Sequence, residues 1–167
     1  MPAAVSPAPP PSPRLTRSTR FMLDTNMVSF LIRASSPPLK ARMLSVPMAQ
    51  LCLSAVTQGE LVYGLARRPQ ASALRTAVRE MLARLDVLPW DSAAAERYGA
   101  LRASLERLGT PLGNLDTLIA SHALAVGAVL VTNDAAFGRV EGLQIEDWTV
   151  GPPNLPATVT ASQQSSP

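Results

Sequence analysis

Asp24, Glu60, Asp116 and Asp134 each stand at or just after the end of a short apolar run, in the contexts FMLDTN, LCLSAVTQGELVYG, GNLDTLIASHAL and VLVTNDAAF. In a parallel α/β sheet such positions converge on one crevice beyond the carboxyl ends of the strands. Carboxylates gathered there repel one another. Two unit charges at roughly 4 Å cost about 1 kcal/mol in water and about 4 kcal/mol at a protein-like dielectric. A cation among them removes that cost, so the four acids read as a divalent-metal site. The chemistry such a site serves is phosphodiester hydrolysis, in which a metal polarises the phosphoryl oxygen and generates hydroxide near neutral pH. The chain's one histidine, His122, and one cysteine, Cys52, exclude a His- or Cys-rich zinc site. Hard oxygen ligands point instead to Mg²⁺ or Mn²⁺.

Positioning these acids requires alternating strands and helices, and the sequence supplies them. The pattern predicts strands at residues 21–24, 51–53, 87–88, 128–132 and 143–145. Helices are expected over 25–32, from Ser54 to about Arg67, over 71–85, from Asp91 through Leu108, and from Asp116 to about Val126. Pro37-Pro38 is expected to end the first helix, Gly109 to follow the fourth, and Gly127 to stop the fifth. In the second helix, Val56, Gly59, Tyr63 and Ala66 form the expected packing face, with Glu60 on its border. Short links between alternating elements argue for a parallel sheet covered by helices.

Each acid also has a plainer reading. Asp24 and Asp116 suit helix N-termini, Asp134 suits a turn, and Glu60 suits a helix surface. The set is distinguished by recurrence, with four acids in four successive units on one side of a sheet. Cys52, inside LCLSAV, reads as a buried core thiol, and Trp90 and Trp148 read as core rather than as stacking platforms.

The 167 residues suffice for one domain with a sizeable core, and no stretch approaches the length of a membrane span. The formal charge of +3 is misleading, because Arg14, Arg17 and Arg20 lie in a leading segment without acids. Beyond it, basic and acidic residues balance, so affinity for nucleic acid requires local clustering of charge or metal-bridged phosphates. Residues 1–20 hold six of the sixteen prolines and residues 151–167 four more, so both tails are expected to be disordered around a domain at 21–150. Residues 1–20 contain no apolar segment of the kind a secretory signal needs, which points to a cytoplasmic protein.

The segments LDTN (Leu23–Asn26), SAVTQGELVYG (Ser54–Gly64), LDTLIASHAL (Leu115–Leu124) and TNDAAFGRV (Thr132–Val140), with Trp148 after them, resemble in order the PIN-domain family, and within it the VapC-type toxins of toxin–antitoxin pairs. The resemblance covers about Phe21 to Trp148. It implies a three-layer α/β/α fold with a central parallel sheet and a Mg²⁺- or Mn²⁺-dependent endoribonuclease. It also implies a cognate antitoxin and a homodimer. Asp24, Glu60, Asp116 and Asp134 match the family's acidic quartet, with Asp24 and Asp116 as the implied metal ligands. Thr25, Asn26, Thr132 and Asn133 match polar support positions. The alternative is a non-catalytic PIN-like binding module acting through a DNA-binding antitoxin.

Overall fold

The computed structural model describes residues 19–151. The expectations of disorder at 1–20 and 151–167 lie outside these residues, apart from positions 19, 20 and 151. Five strands form one parallel sheet: β1 (Phe21–Leu23), β2 (Leu51–Ser54), β3 (Asp86–Leu88), β4 (Val129–Val131) and β5 (Ile145–Glu146), in the order β3-β2-β1-β4-β5. Six helices flank it: α1 (Thr25–Ile32), α2 (Pro37–Ser45), α3 (Ala55–Ala66), α4 (Ser72–Arg84), α5 (Ser92–Arg107) and α6 (Asn114–Val126).

Apart from Ser54 at the end of β2, the central strands are apolar at every position, because helices cover both faces. Phe21, Leu23, Leu51, Leu53, Val129 and Val131 point to one side, where they pack with Met27, Val28, Leu39, Leu61 and Val78 from α1 to α4. Met22, Cys52 and Leu130 point to the other, against Leu101, Leu105, Ile119, Ala120 and Ala123 from α5 and α6. Three layers result, as expected. Cys52 is a core thiol, and burial pushes its pKa up to about 11. Trp148 is likewise in the core, stacked at a tilt 5.2 Å from Phe21. Trp90 is half-buried, and its indole N–H donates to the carbonyl of Leu118 at 3.3 Å.

Three local expectations are corrected. Pro37 and Pro38 do not end α1, which closes at Ile32. They open α2, with Ser36 capping the backbone N–H of Leu39. Proline is well suited to a first helical turn, because its missing N–H would have no intrahelical acceptor there. On α3 the buried residues are Thr57 and Leu61, whereas Gly59, Tyr63 and Ala66 are exposed. Gly59 and Ala66 offer almost no side chain to bury and Tyr63 keeps a polar tip in water, so their spacing alone marks no packing face. Asp116 does not open α6; the helix begins two residues earlier, capped by Gly113. Gly127 ends that helix in the left-handed conformation at φ 65°, as its position suggested.

Candidate active site

The strand order builds outward from β1 to β2 and β3, then returns to place β4 and β5 on the other side of β1. The reversal falls between β1 and β4, and a crevice opens there beyond the carboxyl ends of the strands. Leu23 pairs with Val131, so the next residues, Asp24 and Thr132, emerge side by side. The Thr132 hydroxyl donates to Asp24 Oδ2 at 2.5 Å, and the Met27 backbone N–H donates to Asp24 Oδ1 at 2.7 Å. Asp24 is therefore an N-cap of α1 and a crevice carboxylate at once. It is 3% exposed. Burial pushes its carboxyl up to about 6, overcoming the hydrogen bonds from Thr132, Met27 and the Asn26 backbone, and repulsion from Asp116 adds to the rise.

Asp116 lies in the first turn of α6, whose cap, Gly113, has no side chain to accept a hydrogen bond, and no backbone N–H donates to the Asp116 carboxylate among the described residues. The Asp116 carboxylate is thus not engaged in capping. Burial raises its pKa, and repulsion from Asp134 raises it further. A Cβ at position 113 would lie 2.7 Å from Asp116 Oδ2, so the bare glycine is what lets the carboxylate fold back to this place. The far end of α6 is anchored below: His122 Nδ1 lies 2.9 Å from Ser54 Oγ at the end of β2, with both side chains buried. Burial lowers the pKa of His122, with Asp91 opposing, so the imidazole is neutral at pH 7.

Glu60 joins the cluster through Thr25, whose hydroxyl donates to Glu60 Oε2. Asp134 is exposed, and its Oδ1 accepts from the Ala136 N–H at 2.8 Å, capping the short 3₁₀ turn Ala135–Arg139. Its own N–H donates to the Thr132 hydroxyl at 3.0 Å. The turn reading of Asp134 therefore holds alongside its electrostatic contact with Asp116. Asn26 and Asn133 are exposed at the rim. The fold brings all four acids to the same end of the sheet. Gly113 and the His122–Ser54 pair were missed from sequence. The one available signal for the pair was a lone histidine among apolar residues of α6.

The ion pairs among the described residues join Arg20 to Asp86, Arg42 to Glu146 and Arg102 to Glu106. None of them neutralises a crevice carboxylate. The donor set is all oxygen, Asp24 and Asp116 are desolvated, and neighbouring carboxylates raise the pKa of both. These features fit a hard divalent cation. Among the described residues no three His, Cys, Asp or Glu side chains are grouped closely enough to hold an ion unaided. Mg²⁺ needs no such cage, since it commonly keeps several waters and takes one or two carboxylates.

The PIN domain model matches residues 21–143, a span that includes all four acids. The chain belongs to the PIN-domain family. It is 38% identical over 131 residues to the tRNA(fMet)-specific endonuclease VapC of Shigella flexneri, covering 78% of this chain and 98% of that protein. It is 31% identical over 130 residues to Ribonuclease VapC2 of Haemophilus influenzae, covering 77% of this chain and 98% of that one. Its fold matches a chain in the DNA-bound VapBC structure from Salmonella typhimurium with a TM-score of 0.69 and 38% identity, over 78% of this chain and 98% of that chain. It matches a chain of VapBC2 from Rickettsia felis, bound to a DNA fragment from the promoter, with a TM-score of 0.71 and 30% identity, over 77% and 98%. Within the family, the chain is a VapC-type ribonuclease toxin, and the non-catalytic alternative gives way to this reading. Among the described residues no helix is long and apolar enough to cross a membrane.

Proposed function

We propose that this PIN-domain ribonuclease hydrolyses RNA with a divalent ion, Mg²⁺ or Mn²⁺, held by Asp24 and Asp116, and that a cognate antitoxin restrains it. The observation that carries the proposal is the buried Asp24 carboxylate, 3% exposed, whose pKa burial and Asp116 push up to about 6. A bound ion would supply Lewis-acid polarisation of the phosphoryl oxygen and make water a better nucleophile. Thr132 and the Met27 N–H fix the Asp24 oxygens. Thr25 fixes Glu60, leaving its other oxygen to orient the attacking water and take its proton. Asp134 keeps one oxygen free of its capping role and adds negative charge beside Asp116. Asn26 and Asn133, exposed at the rim, are placed to meet the RNA. The resemblance further supports a homodimer working in the cytoplasm.

The relative that is 38% identical is named for action on initiator transfer RNA, which makes that RNA the first substrate to try. Purified protein, freed of antitoxin, is expected to yield discrete products from it with Mg²⁺ or Mn²⁺ and none with EDTA. Products that persist unchanged in EDTA would sink the metal-dependent reading.

Gly113 provides a second test. Its φ of −56° suits any residue, so Gly113→Ala introduces no backbone strain and removes conformational entropy from the unfolded chain. The added methyl group meets the tip of Asp116, which moves aside. Alanine is a poorer N-cap than glycine, which opposes that gain, so stability is expected to change little, while cleavage falls about 10- to 100-fold, the scale of misplacing a metal-site group. Full activity in a folded Gly113→Ala protein would show that the placement of Asp116 does not depend on the glycine.

A further inference from the structure

Outside its first twenty residues the chain has balanced charge, yet a ribonuclease must hold a polyanion. The fold supplies local clustering that the sequence does not display. A groove of about 440 Å³ opens from Thr25 and Glu60 and is lined by Arg33, Arg67 and Arg68, with Tyr63 on its wall. Arg33 and Arg67 are the C-cap residues of α1 and α3. Measured along the helices at 1.5 Å per residue, Arg33 lies about 12 Å beyond Thr25 and Arg67 about 10 Å beyond Glu60. Among the described residues, Glu60 is the only acid lining it. None of the three arginines is in an ion pair among the described residues.

A helix C-terminus attracts cations by itself, and the Nε–H of Arg33 does donate to the Ser29 carbonyl at 3.2 Å. That explains an arginine at each helix end. It does not explain three guanidinium groups converging on one groove that leads away from the acidic cluster. The Tyr63 ring is 64% exposed, with the Arg67 guanidinium 5.9 Å from its centre. An exposed ring beside cations is the arrangement that binds single-stranded RNA, with phosphates on the charges and a base on the aromatic face.

We infer that Arg33, Arg67 and Arg68 form a track for the RNA backbone leading from the scissile position, with Tyr63 as a stacking face beside it. The inference rests on the ribonuclease reading above. Ile32, Leu61, Leu65, Leu74 and Val78 also line the groove; RNA is favoured over a protein occupant by the three cations set against one carboxylate.

The test uses the full chain with end-labelled bacterial transfer RNA as probe. Affinity is measured on an Asp116→Asn background, with and without Arg33→Gln, Arg67→Gln and Arg68→Gln, from about 50 to about 200 mM salt. Cleavage is measured with Asp116 restored. On a single strand, each phosphate deprived of its arginine lowers the slope of log K against log salt by about 0.7. The triple variant is expected to lose about two units of slope and to raise KM at least about tenfold. Its kcat should stay within about threefold, since the three groups bind substrate and transition state alike. The single variants should each remove about a third of the slope change, which keeps the test valid if the triple variant folds poorly. Arg97→Gln, on α5 beside Ala125 at the far end of α6, is the control and should change nothing. Unchanged affinity and slope in the arginine variants, with the wild type cleaving, would overturn the track and leave the groove to a protein partner. A wild type that cleaves no RNA would overturn the ribonuclease reading and the track with it.

Discussion

Asp24→Asn is expected to abolish RNA cleavage while making the metal-free protein harder to unfold. Loss of activity follows from removing the charge proposed to hold the metal at the topological switch point, an effect of order a thousandfold when one charge-stabilising group is lost. The gain in stability follows from the same carboxylate. Its pKa rises from 3.8 in the unfolded chain to about 6 in the fold, chiefly by desolvation. Below 3.8 the group is protonated in both states and costs nothing. Between 3.8 and about 6 the folded protein retains a proton that the unfolded chain has released, so stability falls as pH rises. Above about 6 the cost is complete, on the order of 3 kcal/mol for a rise of this size. Asparagine keeps the cap on the Met27 N–H without the buried charge. His122, its pKa lowered by burial, works in the opposite sense, withdrawing stability as pH falls below its unfolded value. The informative quantity is therefore the difference between variant and wild type. Denaturant melts in EDTA should show it near zero at pH 4 and about 3 kcal/mol in favour of the variant at pH 7. A variant less stable than wild type at pH 7 would mean that the carboxylate holds the fold together rather than straining it.

Much of this arrangement was legible in the sequence, for reasons the structure makes concrete. The runs at 21–23, 51–53 and 129–131 are buried on both faces, so they read as short unbroken apolar strands. Ser54 and Asp91 cap the helices assigned to them because capping is a local property. The placement of the acids at one end of the sheet was recoverable because a parallel sheet fixes which end of each strand faces the crevice. Helix α2 was missed because a Pro-Pro pair stops one helix and starts another equally well, and only tertiary packing of Leu39 decides between them. The role of Gly113 depends on where the Asp116 side chain turns, which spacing does not encode. The arginine groove was hidden for a similar reason. Arg33 and the Arg67-Arg68 pair are more than thirty positions apart in sequence, and they meet because α1 and α3 start from adjacent strands.

Metal binding should offset the Asp24 effect. An ion that binds only the folded state stabilises it by about 2.7 kcal/mol at a hundredfold excess over its dissociation constant. For a domain of this size that is a rise in Tm of about 5–10 °C. The wild type should show it with Mg²⁺ or Mn²⁺, whereas Asp24→Asn and Asp116→Asn should stay nearly flat. Protons compete for the same oxygens. With the Asp24 carboxyl at about 6, an ion that binds only the ionised form meets about a tenth of the sites at pH 5. The apparent dissociation constant should therefore weaken about tenfold between pH 7 and pH 5. Cleavage at subsaturating metal should decline over the same interval. An affinity independent of pH across this range would show that the ion is held without Asp24, and the ligand assignment would then pass to Asp116 and Asp134. A shift in Tm retained by Asp24→Asn but lost in Asp116→Asn would lead to that same reassignment from independent data.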